Sequence, residues 1–383
     1  MTPIRVGVIC DLREEGWHSM DLVADMLIAT LPAVAGDGIR ATRICPPMIA
    51  RWSRLPLMGK SSRAGLADRL TNRLWDYPRW LAPLASQFDV FHIIDHSYAH
   101  LVRVLPAERT VITCYDLDAV KPALPNGHRG LTLSRLLASH ILDGLRRSAL
   151  VACVSHATRN ELAASRGVDP SRMVVVYAGV HPSCSPQPDA GETDVQPHAG
   201  DSTAPVILHV GSTIARKRID VVLNVLAEVR KRVGDVRLIR VGGPLTDAQR
   251  ALARSLGVLD AVTEMPFLER GELSALYRRA TLVVMPSDRE GFGLPVVEAM
   301  ACGTPVVASA IPALQEVGGD GATYCAPGDV AEWTRTIADL LREQQEDPES
   351  WKARRCRGLT AAARFSWTSY AAEMSNVYRT LAS

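Results

Sequence analysis

The chain has 383 residues, is 47% hydrophobic and 22% charged, and carries a formal net charge of +2. That length suffices for two cores, and the near-neutral balance excludes a dedicated nucleic-acid binder, which needs a basic excess to neutralise phosphates. The eight cysteines form no C-x-x-C pair, so neither a zinc site nor a disulfide framework is written, and the reduced thiols of a cytoplasmic protein are expected.

The amino terminus, "MTPIRVGVICDLREEG", lacks the charged-then-apolar pattern of a signal peptide, and no apolar run reads as long enough to span a bilayer. From there apolar, β-branched runs alternate with helical segments. "PIRVGVIC", "DVFHIID", "TVITCYD", "ALVACVS" and "MVVVYAG" read as strands, and Met20, Val23, Leu27 and Leu31 have helical spacing. This predicts a parallel α/β domain over residues 1–182. Residues 183–204, rich in Pro, Gly, Asp, Ser and Thr, read as a linker. The alternation restarts with "VILHVGS", "VRLIRVGG", "AVTEMPF", "TLVVMPS", "TPVVASA" and "ATYCAP", a second α/β domain over 205–365. A terminal helix over 366–383 is expected to pack back on the first domain. Two such domains facing each other would make a cleft suited to a ligand with two halves.

The densest chemistry lies in "SDREGFGLPVVEAMACGTPVVASA", residues 287–310. A strand precedes it, a helix with Pro295 in its first turn follows, and the loop therefore falls at the carboxyl end of a parallel strand, where open α/β sheets bind ligands. Glu290 and Glu298 flank the turn. Gly291 and Gly293 remove side chains, so that the backbone N–H groups of Phe292 and Leu294 can approach a ligand closely. A second loop, "HVGSTIARKRID", places Arg216, Lys217 and Arg218 just before a helix, where cations suit a diphosphate. Taken alone, that loop reads first as a solvated basic turn paired with nearby acids, and only the combination with the other motif favours a diphosphate.

Together the two motifs carry a resemblance. "DREGFGLPVVEAMACGTPVVAS" resembles the E-x7-E signature of the large retaining glycosyltransferase family usually numbered 4, and "VGSTIARKRIDVVL" is similar to that family's donor-phosphate loop. Lesser likenesses run through "VSHATRNEL", "YAGV" and "FSWTSYAAEMSNVY". The resemblance implies an α/β GT-B fold: two Rossmann-like domains with parallel sheets facing a deep cleft, the nucleotide-sugar bound by the second and the acceptor by the first. It implies transfer with retention of anomeric configuration and no metal or other cofactor, the nucleotide-sugar being a substrate.

By the same likeness Glu298 serves the ribose, and Glu290 holds the transferred sugar near its anomeric carbon. Gly211, Ser212, Arg216, Lys217, Gly291, Phe292, Gly293 and Leu294 complete the donor site. The base is expected against backbone near "EMPFLER", around Phe267 and Leu268. A leaving nucleoside diphosphate gains negative charge, so Arg216 and Lys217 join Glu290 as the catalytic candidates. Many relatives carry an arginine directly after the glycine matching Gly211, where this chain has Ser212, and the Arg-Lys pair follows one turn later. That arrangement resembles mannosyl- and related transferases and favours GDP-mannose over a UDP-sugar.

The first domain departs further. Relatives place a histidine before an aspartate at the strand matching "TVITCYD", whereas here the pair is Tyr115 and Asp116. Tyrosine can donate a hydrogen bond but cannot act as a base near neutral pH. His96 in "IIDHSYAH", beside Asp95 and His100, is the candidate replacement, and Gly16, Trp17 and His18 occupy the loop after the first strand. Residues 51–80 carry seven basic side chains against Asp68 and Asp76, interleaved with Trp52, Trp75 and Trp80. This composition suits either an anionic membrane surface at the cytoplasmic face, with a lipid-linked glycan acceptor, or a helix pair packing on the core. A GT-B sugar-nucleotide epimerase and a non-catalytic sugar-nucleotide binder remain as alternatives. A dehydrogenase is disfavoured because no G-x-G-x-x-G follows the first strand.

Overall fold

The computed structural model describes residues 2–54, 62–124, 132–188 and 204–383. Most of the segment read as a linker, residues 189–203, and part of the tryptophan-bearing stretch, residues 55–61, lie outside the described residues. Contacts divide the chain into two compact units, Met1–Gly179 with Trp367–Ser383, and Val180–Ser366.

Unit 1 is built on a parallel six-stranded sheet of β1 (Ile4–Ile9), β2 (Ile39–Ile44), β3 (Val90–Ile93), β4 (Thr110–Cys114), β5 (Leu150–Cys153) and β6 (Met173–Val175). The strand order is β2-β1-β3-β4-β5-β6. The runs Val-Phe-His-Ile and Thr-Val-Ile-Thr-Cys are buried along their whole length because helices cover both faces of such a sheet. β2 has no counterpart in the sequence reading. In Ile-Arg-Ala-Thr-Arg-Ile only the terminal isoleucines are buried, and the charges that hid the strand are those an edge strand tolerates. Arg43 of β2 pairs with Asp21 at 2.7 Å and Asp25 at 2.8 Å on the helix His18–Ala35.

That helix corrects one expectation. With its following turn it spans 21 residues, His18–Gly38, and is long and apolar enough to cross a bilayer. Here its apolar stripe, Leu22, Val23, Ala24, Leu27 and Leu31, is buried in the unit, and the helix packs against the terminal helix Trp367–Ala382. The terminal helix is held by packing and by a buried polar chain. The Tyr378 hydroxyl lies 2.7 Å from His92 Nδ1, whose Nε2 lies 2.7 Å from Thr113 Oγ1. Burial leaves this imidazole neutral by pushing its pKa down to about 3.

Unit 2 repeats the architecture with β7 (Val206–Val210), β8 (Arg237–Val241), β9 (Val262–Met265), β10 (Leu282–Met285), β11 (Val306–Ser309) and β12 (Ala322–Cys325). Its order is β12-β11-β10-β7-β8-β9. The chain builds outward from β7 to β9, then returns to β10 on the other side of β7. The crevice between the β7 and β10 loops is thus the topological switch point, the position at which ligands enter open α/β sheets.

Candidate active site

Both conspicuous sequence motifs emerge at that switch point, one after β7 and one after β10. After β7 the chain makes a short turn, Ala215–Lys217, and passes through Arg218 at φ 51° before the helix Ile219–Val233. A left-handed conformation is costly for arginine. Arg218 is held there by ion pairs to Asp220 at 2.9 Å and Asp288 at 2.8 Å. The turn thereby presents Arg216 and Lys217 at the positive end of a 15-residue helix.

Besides the Arg218–Asp288 pair, the two loops are stitched through Glu290. Lys217 Nζ lies 2.6 Å from Glu290 Oε1, and Arg216 Nη1 lies 3.1 Å from Oε2. Arg216 also donates to the Arg289 carbonyl at 2.8 Å, and its own carbonyl accepts from the Asp288 amide at 2.9 Å. The Glu290 side chain is 7% exposed. Burial opposes its ionisation, but the charges of Lys217 and Arg216 prevail and hold its pKa below the ordinary glutamate value. Arg216, Arg218 and Arg289 also line an open pocket of about 400 Å³ together with Asp220 and Asp288.

The glycine turn is a built feature. Gly293 has φ 98° and caps the helix Leu294–Ala301, and a Cβ on it would lie 2.5 Å from Leu314 Cδ2. Phe292 is buried edge-on against Phe365, with ring centroids 5.4 Å apart. Its side chain anchors the loop while the flanking glycines keep the backbone bare. Gly211 and Ser212 follow β7 directly. The fully buried Arg240 donates to the Gly211 carbonyl at 2.9 Å and to the Gly243 carbonyl, tying the β7 and β8 loops together. Phe267 is 56% exposed and Leu268 half-buried, both between β9 and the helix Arg270–Arg279.

Glu298 is set deep in unit 2. Pro295 and the Gly293 cap start the helix at Leu294, so Glu298 begins its second turn and is 3% exposed. Arg270 Nη1 lies 3.1 Å from its Oε1, and the buried Tyr277 hydroxyl donates to Oε2 at 3.0 Å. Burial pushes its pKa up, with Arg270 and Tyr277 opposing. Arg270 and Tyr277, seven residues apart on one helix face, were missed in the sequence. Their partner lies more than twenty residues onward, beyond any local spacing rule.

In unit 1 the candidates separate into two groups. Gly16, at φ 70°, is exposed in the turn that leads into the first helix, and His18 is exposed as that helix's first residue. His96, Tyr115 and Asp116 converge: His96 Nδ1 lies 3.2 Å from Asp95 Oδ1, and its Nε2 lies 3.9 Å from Asp116 Oδ1. Burial disfavours the imidazolium, but Asp95 and Asp116 raise the His96 pKa above the ordinary value. The Tyr115 hydroxyl is buried with no hydrogen-bond partner. His100 is structural, its Nε2 lying 2.9 Å from the Arg73 carbonyl.

Residues 191–355 match the family described as glycosyl transferases group 1, and residues 38–183 match Glycosyltransferase Family 4. A D-inositol 3-phosphate glycosyltransferase of Frankia alni is 31% identical over 336 residues, covering 79% of this chain and 80% of the relative. One of the same name from Mycobacterium sp. (strain JLS) is 37% identical over 190 residues, 47% of this chain and 42% of its own. Among solved structures, sucrose-phosphate synthase of Thermosynechococcus elongatus superposes with a TM-score of 0.72 at 20% identity, covering 99% of each chain. Anabaena Alr3699/HepE, solved with UDP and glucose, gives a TM-score of 0.72 at 16% identity, covering 98% of this chain and 100% of its own.

Proposed function

Because this chain belongs to the group 1 glycosyltransferases of family 4, with their GT-B fold, we propose that it is a retaining, metal-independent hexosyltransferase. Unit 2 holds a nucleoside-diphosphate sugar, and unit 1 holds a glycan, glycolipid or small-molecule acceptor. One observation carries this reading: Glu290 is buried between Arg216 and Lys217 at the switch point of unit 2. Without donor the carboxylate neutralises both cations. An incoming diphosphate supplies the negative charge instead, and Glu290 is released to accept hydrogen bonds from the hydroxyls of the transferred sugar.

As the bond to the leaving group breaks, Arg216 and Lys217 take up the charge that develops on the diphosphate, while the carboxylate lies near a carbon becoming cationic. Glu298 serves the ribose diol. Each of its oxygens has one protein partner and keeps a further lone pair for a hydroxyl. Phe267 and Leu268 border the base.

The Arg-Lys arrangement puts GDP-mannose first among donors, with a UDP-sugar second because Anabaena Alr3699/HepE was solved with UDP and glucose. Trp52, Trp75 and Trp80 are 42%, 57% and 43% exposed, which supports peripheral contact with an anionic membrane and a lipid-linked acceptor. Calorimetric titration with GDP, UDP, ADP and dTDP selects the base. The matching hexose donor is then followed by NMR for the product anomer, with and without EDTA. An inverted product, or activity abolished by EDTA, would overturn the corresponding part.

A further inference from the structure

Unit 1 has a switch point of its own, between β1 and β3, because the chain runs from β1 to β2 and then returns across β1. Three adjacent strands there, β1, β3 and β4, end at Ile9, Ile93 and Cys114, each two residues before an aspartate: Asp11, Asp95 and Asp116. Two of the three are accounted for. Asp95 accepts from the Ser97 amide at 2.9 Å and from the Ser97 hydroxyl, and pairs with His96. Asp116 lies beside His96 Nε2.

Asp11 is different. It is 5% exposed, and neither carboxylate oxygen has a hydrogen-bond partner. His96 Nε2, also buried, has no hydrogen-bond partner either. Burial first, and then the neighbouring Asp95, push the Asp11 pKa well above the ordinary aspartate value, with Glu15 and Asp21 adding to the effect and Arg73 opposing it. Arg73 is already engaged: it lies 3.8 Å from Glu15, donates to the Ser97 carbonyl, and its guanidinium sits 4.2 Å from the Tyr98 ring centroid. A carboxyl so placed is costly to ionise unless a cation pairs with it. The acids do not close on a metal ion, since no group of three or more His, Cys, Asp or Glu has metal-holding geometry among the described residues.

We propose that this cluster is an acceptor subsite for an ammonium-bearing sugar or cyclitol, with Asp11 as the carboxylate that pairs with the ammonium group. Asp95, His96 and Asp116 border the same subsite and take hydroxyls. A phosphate-bearing acceptor is repelled, which separates this chain from relatives whose name specifies a phosphorylated inositol. The inference rests on the assignment of the acceptor to unit 1 made above.

The test is NMR titration of the full chain at pH 6.5 with D-glucosamine, N-acetyl-D-glucosamine, D-glucose and D-glucose 6-phosphate. Glucosamine should bind about tenfold more tightly than the two neutral sugars, equivalent to about 1.4 kcal/mol, with the phosphate ester weakest. Asp11→Asn should abolish the preference for the amine while leaving nucleoside diphosphate affinity, measured in the same samples, unchanged. Equal binding of all four, no binding of any, tighter binding of the phosphate ester, or an unaltered preference in Asp11→Asn would overturn the proposal. Should Asp11→Asn not fold, the ranking by the parent chain decides alone. Intact nucleotide binding without an amine preference sinks this inference only. Absence of nucleotide binding by the parent sinks the transferase reading instead.

Discussion

Lys217 Nζ lies 2.6 Å from Glu290 Oε1, a contact between loops 73 residues apart in sequence that joins the basic motif to the first acid of the E-x7-E motif. Removing that acid should therefore have two separable effects. Glu290→Gln leaves Arg216 and Lys217 without their counter-charge, so nucleoside diphosphate affinity should hold or rise. Single-turnover transfer should fall about 10²–10³-fold, the usual cost of losing one electrostatic contact to a transition state. Glu298→Gln should instead weaken nucleotide and nucleotide-sugar binding alike, by about 1–3 kcal/mol. Calorimetry and rapid-quench rates on both variants check this, and parent-rate transfer by Glu290→Gln would refute the division of labour.

Replacing both Arg216 and Lys217 with alanine should weaken binding of the nucleoside diphosphate far more than of the nucleoside. The proposed reading sets the phosphates beside these two cations, at the start of the helix Ile219–Val233. Equal losses for the two ligands, measured by calorimetry, would remove the phosphate assignment.

The two glutamates should titrate in opposite senses. The folded-state pKa of Glu290 is depressed, so its contribution to stability is present above the ordinary value of 4.5 and is lost as pH falls through the folded pKa. That of Glu298 is raised, so the folded chain binds its proton more readily than the unfolded chain, and stability from this group increases as pH falls toward 4.5. Denaturant midpoints taken at several pH values from neutral to below the ordinary glutamate range should show Glu290→Gln losing less stability than the parent in the part below 4.5, and Glu298→Gln losing more in the part above it. The same pH slope in both variants would contradict the assignment.

Gly293→Ala should destabilise unit 2 by about 1–3 kcal/mol, the cost of forcing a side chain into a left-handed conformation. The added methyl would also press on Leu314, whose Cδ2 lies 2.5 Å from its position. The start of the helix Leu294–Ala301 should shift with it, lowering transfer beyond the loss expected from stability. Thermal melting and kcat at a temperature where the variant is folded separate the two effects.

The tryptophan-bearing face should bring the chain down with anionic phospholipid vesicles at low salt and release it as salt rises. Trp75→Ala combined with Trp80→Ala should reduce sedimentation. Asp68, 1% exposed, accepts from the Arg51, Trp52 and Ser53 amides and so fixes the segment, and this substitution leaves those bonds untouched. Sedimentation indifferent to lipid charge would leave these rings with a packing role.

The sequence by itself determined the alternation of strands and helices, because buried parallel strands are continuous apolar runs and their periodicity is local. It also marked the candidate acids and bases of unit 2, since Glu290, Glu298, Arg216 and Lys217 stand in short motifs beside strand ends. It missed β2, whose Arg40 and Arg43 belong to an edge, and an edge is defined only by which strands pair. Tertiary structure alone decided that Glu290 neutralises both cations and that Glu298 is buried against Arg270 and Tyr277, partners drawn from loops and helices tens of residues apart. It alone made Asp11 conspicuous. In sequence Asp11 is one acid in "CDLREEG", and only strand order sets it beside Asp95, where burial and like charge, absent from any linear spacing, determine what it can bind.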